Sequence, residues 1–279
     1  MKRRNFLKAA LALSATSVLT AWYLRFFESK WAETTEKSVK TDRLKTPIRI
    51  LHLSDFHASN VVPYDYLETS VKTGLGLRPD IILLTGDFIT DRLMDEGRYR
   101  SVLSPLAAAA PTFACIGNHD GGLWAGSTYG YSTFEKVASL LDACHIRLLF
   151  NETTTCSVGG QQLQIAGLGD LWSRDTKPEL ALERHRSTPG PVIVLSHNPD
   201  SKELLAPYDW DLMCCGHTHG GQLVVPFFGY RPFLPVRDKA FAEGLHVYRD
   251  RHIHITRGVG NLHGLRFNCR PEISLLRFS

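Results

Sequence analysis

Five times along the chain a short apolar run ends in a small cluster of Asp, Asn or His: IRILHLSDFH, DIILLTGD, TFACIGNHD, PVIVLSHN and DLMCCGHTH. Each run is short enough to be a buried strand, and each polar cluster falls where that strand would end. Between the first two runs, residues 64–77 have helical spacing and Arg78-Pro79 marks a turn, which together predict a βαβ unit. Residues 99–109 and 132–144 read as further helices around a third strand at 112–116. After Leu148 short β-rich runs dominate, at 163–166, 192–195, 212–215, 245–248, 253–256 and 273–278. A βαβ half followed by a strand-rich half predicts one α/β domain over residues 46–279, with two sheets packed together and helices outside. Such a sheet lines its strand ends along one edge, where its ligand crevice usually lies. That edge would gather Asp55, His57, Asp87, Asn118, His119, Asp120, His197, His217 and His219.

Charge changes the picture only at the start of the chain. The 279 residues carry a formal +4 at pH 7, yet Lys2, Arg3, Arg4, Lys8 and Arg25 all precede the first acidic residue, Glu28. Without those five, 27 of the 32 basic residues remain against 28 acidic ones, so the body has no basic footprint for nucleic acid. Residues 1–27 read as a targeting segment, with a basic start and an uncharged, largely apolar stretch at 9–24. Within it Lys2-Arg3-Arg4-Asn5-Phe6-Leu7-Lys8 resembles the twin-arginine export signal, which implies a bacterial protein exported by the twin-arginine translocation machinery. No clear Ala-x-Ala site follows, and Trp22, Tyr23, Phe26, Phe27 and Trp31 are of the type that favours a membrane interface. Release into the periplasm and retention on the outer face of the inner membrane by an uncleaved anchor both fit. Residues 28–45, charged and Thr-rich, read as a linker. Of six cysteines, Cys115, Cys214 and Cys215 sit in apolar runs as buried strand residues, and a single bridge stays open among Cys144, Cys156 and Cys269.

The strand-end residues have the chemistry of a metal site. Asp carboxylates neutralise and bridge cations, His supplies a neutral nitrogen, and Asn supplies a weakly held oxygen. In extended backbone, residues at i and i+2 point the same way, so Asp55 and His57, and likewise His217 and His219, would each face one pocket as a pair. Taken singly, Asp87 reads as a turn or capping residue and His197 as a loop histidine. His52 reads as a strand side chain with a satisfied hydrogen bond, and His145, His185, His246, His252 and His254 as surface or structural residues.

In order, Asp55-x-His57, Gly86-Asp87, Gly117-Asn118-His119-Asp120, His197 and Gly216-His217-x-His219 resemble the calcineurin-like metallophosphoesterase family. The match runs from about residue 48 to 220 and, by the strand pattern, to the end. The resemblance implies a four-layer α/β/β/α sandwich of two mixed sheets flanked by helices, and two divalent ions of manganese, iron or zinc. It implies that Asp55, His57 and His219 hold one ion, that Asn118, His197 and His217 hold the other, and that Asp87 bridges them. His119 would sit beside the phosphate as a catalytic residue, with Asp120 orienting it. The implied activity is hydrolysis of a phosphodiester or pyrophosphate by a metal-bridging hydroxide. A narrower alternative is a UDP-2,3-diacylglucosamine pyrophosphatase-like enzyme of lipid A synthesis.

Residues outside the motifs bear on the substrate, a phosphoester for which both a free and a lipid-linked form stay open. The GHTHGGQ run resembles a bacterial subgroup that often carries an export signal or a membrane anchor. An arginine in the stretch from Arg257 to Asn261, or Arg266, has the shape to hold a phosphate bidentately, against the alternative of a solvated loop arginine. Trp172 reads as pocket rim or core. The aromatics of 121–131, Trp124 among them, read as seating the following helix in preference to covering a substrate. Residues 225–233 are too apolar for an ordinary exposed loop, so they dock on the core or face lipid.

Overall fold

Central strands that are apolar at successive positions, not alternate ones, must be covered on both faces, and the chain meets this need with two stacked sheets. The computed structural model describes residues 4, 14, 16–128, 130–183 and 190–279. Strands β1 (Glu33–Val39), β2 (Ile48–Leu53), β3 (Ile81–Thr85), β4 (Thr112–Cys115) and β5 (Arg147–Leu148) belong to the first sheet. The second sheet holds β6 (Glu152–Val158), β7 (Gln161–Gly167), β8 (Val192–Leu195), β9 (Leu212–Cys215), β10 (Gly244–Tyr248) and β11 (Arg251–Ile255), and β12 (Glu272–Phe278) returns to the first. The orders are β1-β12-β2-β3-β4-β5 and β10-β11-β9-β8-β7-β6. Both sheets are mixed: a parallel centre meets an antiparallel neighbour at β12 in the first, and at β6 and β10 in the second.

Ile48, Ile50, Ile81 and Leu83 pack with Ile165, Ile193, Leu195, Leu212 and Cys214 between the sheets. On the other side of the first sheet, Leu51, Leu53, Ile82 and Leu84 bury against helices Tyr64–Gly76, Glu96–Ala109 and Glu135–Ala143 through Leu67, Leu103, Leu106 and Leu140. Each fully buried Leu or Ile contributes about 1.5–3 kcal/mol, so strands buried on both faces anchor the fold. The outer face of the second sheet is covered by Leu205, Tyr208 and Trp210 beside two short helical turns, Pro178–Ala181 and Pro199–Glu203. The expected two-sheet α/β/β/α layout is therefore present, with a thin fourth layer.

The expected linker at 28–45 is corrected. Residues Glu33–Val39 form an edge strand that pairs in parallel with β12, from Glu33 opposite Glu272 to Val39 opposite Phe278. Its polar composition suits an edge strand, where charge discourages pairing with other chains. Here the charges also find partners: Glu33 pairs with Arg257 and Arg270, and Glu36 with Arg277. Glu28 is buried and accepts the Cys269 N–H at 3.0 Å, so the folded body begins before residue 46. All six cysteines are free.

Residues 16–22 are helical and continue into a π-helical turn, Tyr23–Phe27. Among the described residues no helix is long and apolar enough to cross a membrane. Most of the twin-arginine segment and the start of the apolar stretch, as well as His185, lie outside the described residues.

Candidate metal centre

Where β2, β3 and β9 end, the backbone turns through the left-handed region at residues other than glycine. The angle φ is +54° at Asp55, +47° at His57, +55° at Asp87, +68° at His217 and +50° at His219. Such backbone costs energy and concentrates at functional sites, and Asp and His tolerate it better than branched residues do. Both members of the Asp55/His57 pair and of the His217/His219 pair are left-handed. Their convergence therefore comes from two successive tight bends, which corrects the expectation of extended alternation. Two glycines make the crowding feasible: a Cβ on Gly117 would run into the Asp87 carboxylate, and one on Gly216 into that of Asp55.

The expected ligands meet. His219 Nε2 lies 3.3 Å from Asp55 Oδ1 and 3.2 Å from His57 Nε2. Asp87 Oδ2 stands between the two groups, 3.3 Å from His57 Nε2 and 3.1 Å from His197 Nε2. His217 Nδ1 is 2.9 Å from Asn118 Oδ1. All seven are buried. A metal fits this donor set on the structure's own terms. His217 Nε2 is buried without a hydrogen-bond partner, and His197 Nε2, for all its closeness to Asp87, makes no hydrogen bond of acceptable geometry. Orphaned imidazole nitrogens around two buried carboxylates are what a cation would satisfy. Asp55, His57 and His219 form one three-residue cluster, Asp55, Asp87 and His197 another, and His57, Asp87 and His119 a third.

In the metal-free chain, burial pushes the Asp55 carboxyl up to about 7, with the Asp87 charge adding to it against the pull of His197. Burial opposes charge on His197, but Asp87 outweighs it, helped by Asp55 and Asp170, and the imidazole is pushed up to about 10. Burial also raises Asp87, yet His197 and His119 overcome it and hold the carboxyl well below its usual range. His57 is carried down to about 4 and His217 to about 3, both chiefly by burial. The sign for stability follows. A raised Asp55 stabilises the metal-free fold below the ordinary carboxylate pKa, and that contribution is lost as pH rises through about 7. With Asp55 and His197 as ligands, metal would displace their protons, and affinity should climb roughly tenfold per pH unit for each displaced proton between pH 6 and about 7. Calorimetric titration in buffers of different ionisation enthalpy counts those protons; affinity independent of pH over that range would contradict the assignment.

His119 donates from Nδ1 to the Thr90 carbonyl at 2.6 Å, which makes Nε2 the basic nitrogen of the neutral ring. The orienting role expected of Asp120 is corrected. Its carboxylate instead accepts the N–H groups of Gly117, Asp87, Phe88 and Ile89 at 2.7–3.3 Å, clamping the Asn118–His119 loop to the end of β3. The Thr90 carbonyl takes the part assigned to Asp120, and no side-chain motif signals a backbone acceptor. Asp170 was also missed as a site residue: it is buried, Oδ1 lacks a partner, and its charge acts on His197. Gly169-Asp170 follows β7 as Gly86-Asp87 follows β3, so the strand-end pattern contained it.

Arg266 is not a phosphate ligand. It is wholly buried, and its guanidinium donates to five carbonyls, those of His219, Arg257, Gly258, Gly260 and Cys269, at 2.5–3.3 Å. It ties the loop after β11 to the backbone of His219. Arg257 is engaged by Glu33, Glu243 and Glu272. Arg266→Met strands those carbonyls and should cost about 3 kcal/mol or more, lowering Tm by roughly 6–12 °C, as read by thermal unfolding. An unchanged Tm would contradict the bracing role.

His52 bonds Thr85 Oγ1 at 2.9 Å and His254 Nδ1 at 2.8 Å between the sheets, a structural pair apart from the ligands. Above the centre is a cavity of about 490 Å³ whose floor includes Asp87, Asn118, His119, His217 and His219. Its walls are largely apolar, including Trp124, Trp172, Leu223, Phe233, Leu262 and Leu265, with Gln222 and His263 among them. Trp172 is rim: it stands edge-on to His217 at 4.3 Å, with Trp124 packed on His119 at 4.7 Å. Tyr131 packs against the core, so the aromatics expected to seat a helix divide between that role and the cavity.

Comparison with known proteins agrees with this geometry. The family model for calcineurin-like phosphoesterase matches residues 48–221. Phosphodiesterase YaeI of Escherichia coli (strain K12) is 42% identical, over 99% of this chain and 98% of its own. An uncharacterized metallophosphoesterase, YkuE of Bacillus subtilis (strain 168), is 33% identical over 99% and 96%. UDP-2,3-diacylglucosamine pyrophosphatase LpxG of Chlamydia trachomatis is 26% identical over 98% of both chains. With the ordered strand-end residues converging on one buried centre, the chain belongs to the calcineurin-like phosphoesterase family and is a phosphoesterase of the hydrolase class.

Proposed function

We propose that this phosphoesterase is a dinuclear-metal phosphodiesterase. The observation that carries the reading is a cavity floored by metal-type ligands in which, among the described residues, no arginine or lysine takes part in the lining. An anionic phosphoester entering it needs cations, and these ligands are the groups suited to supply them. Asp55, His57 and His219 would hold one ion, Asn118, His197 and His217 the other, and Asp87 both. Two divalent ions would supply an activated water and neutralise charge on the phosphoryl oxygens. The chain's own contribution is the placing of His119: with Nδ1–H held by the Thr90 carbonyl, the doubly protonated ring would carry its second proton on Nε2 and hand it to the leaving oxygen, returning to the neutral form. Trp124 and Trp172 pack against each other at 5.5 Å and would give a bound phosphoester an aromatic wall.

The apolar walls favour a diester with a hydrophobic group over a small phosphate monoester. The twin-arginine resemblance and the aromatics at 22–31 support export and retention at the bacterial membrane. A second reading, cleavage of a pyrophosphate in an acylated nucleotide sugar, is favoured by those apolar walls together with the LpxG relative. The test compares bis-p-nitrophenyl phosphate with p-nitrophenyl phosphate under added manganese. The diester should be turned over faster, and cleavage of the monoester alone would remove the phosphodiesterase reading.

A further inference from the structure

Residues 225–233 display apolar surface that they have no structural need to expose. Phe227 is fully exposed, with Phe228 at 83%, Tyr230 at 64% and Phe233 at 65%. The tip is a closed turn, with Val225 N–H donating to the Tyr230 carbonyl at 2.9 Å and Gly229 N–H to that of Val225 at 3.0 Å. Phe227 sits there at φ +69°, an unfavourable conformation for a bulky residue. A defined turn that holds two phenylalanines outward makes a contiguous apolar patch, unlike scattered surface residues.

A second apolar set lies beside it. Val18, Leu19, Trp22, Phe26, Phe27 and Trp31 are all exposed, and the turn Tyr23–Phe27 has no buried residue. Tyr23 and Trp31 wall one recess together with Pro226 at the start of the loop, and Phe233 at its end lines the catalytic cavity. Arg25 donates to the His263 carbonyl at 2.8 Å, and His263 also lines that cavity. The N-terminal segment, the loop and the cavity mouth therefore share one face. What covers this face is indicated by the segment itself. Its apolar residues are exposed along the helical run, and the uncharged stretch 9–24 is preceded by Lys2, Arg3, Arg4 and Lys8 and followed by Arg25 and Lys30. Apolar surface around a helix with cationic flanks suits a bilayer with anionic lipid better than a groove in one protein partner.

We propose that the turn at 225–233 inserts Phe227 and Phe228 into the same bilayer that receives the N-terminal segment. The catalytic cavity then opens onto lipid and takes a phosphoester presented at the membrane surface; this last step rests on the phosphodiesterase reading, whereas the insertion does not.

The test uses the full chain reconstituted with phosphatidylethanolamine–phosphatidylglycerol vesicles. Phe228→Trp puts an indole at the tip, and its emission should be quenched by lipids brominated along the acyl chain beyond the quenching of the wild-type chain with its own five tryptophans. No added quenching would overturn the insertion. A blue shift that appears without vesicles and grows with protein concentration would assign the tip to a second copy of the chain and overturn it equally. In a second arm, Phe227→Ser with Phe228→Ser should slow hydrolysis of a vesicle-embedded nitrophenyl phosphodiester about tenfold or more while leaving water-soluble bis-p-nitrophenyl phosphate unchanged. Unchanged rates on both substrates would overturn the proposal. If the wild-type chain hydrolyses neither, the phosphodiesterase reading fails, and the quenching still decides the insertion.

Discussion

Asp87→Asn should reduce phosphoester hydrolysis by about 10³-fold or more, the largest effect expected of any single substitution in the chain. The change is nearly isosteric. It removes the one negative charge that faces both ligand groups, since Asp87 Oδ2 is 3.3 Å from His57 Nε2 and 3.1 Å from His197 Nε2. Asp87 Oδ1 also accepts the His119 backbone N–H at 2.9 Å, so one carboxylate both stands between the two ligand groups and fixes the loop carrying His119. Bound metal should fall together with activity, because the variant lacks the charged oxygen that stands between His57 and His197. Steady-state hydrolysis and elemental analysis of the variant check this, and a variant with wild-type rate and metal content would contradict the bridging assignment.

The second large effect separates chemistry from metal binding. His119→Ala should lower kcat by roughly 10²–10⁴-fold, the usual range for loss of a positioned general acid, with metal content unchanged. The distinction matters because His119 also lies within ligand range of His57 and Asp87. Loss of metal alongside activity would make His119 a ligand, whereas retained metal with slow turnover supports proton transfer.

The parts of this protein that were legible in sequence are those where chemistry and burial coincide. Strands β2, β3, β8 and β9 announce themselves because both faces are covered, leaving mainly apolar runs that stop where the buried polar cluster begins. The gathering of the seven strand-end residues into one buried cluster follows, since Asp, Asn and His at the end of such runs have few other reasons to be buried. Edge strand β10 was legible at 245–248, but the polar edge strands were not. Strands β1 and β6, with sequences ETTEKSV and ETTTCSV, have a solvent-facing side and polar residues along it, and composition alone reads them as tether or loop. The turn between β6 and β7 is Gly159-Gly160, both with positive φ, which is the hairpin signal that the polar strand obscured.

Roles inside the centre were less legible than membership. Asp120 adjoins His119 in sequence, yet a side chain one residue away leaves in a different direction, and its carboxylate finds four backbone N–H groups instead. Arg266 looked like a surface cation because nothing in sequence reports five converging carbonyls. Such contacts belong to loops brought together by the sheets, and no periodicity encodes them. The substrate-facing cavity is similar: Trp124, Leu223 and Leu262 come from three segments well separated in sequence and become a wall only in the fold.

The most direct test measures bound metal and phosphodiester hydrolysis on one preparation of the full chain, before chelation, after it, and after return of manganese, iron or zinc. Two divalent ions per chain at full activity, loss of hydrolysis on chelation and its recovery with metal are the results predicted here. Hydrolysis that continues at full rate in the metal-free chain, or a metal-loaded chain that cleaves no phosphoester, would contradict the account.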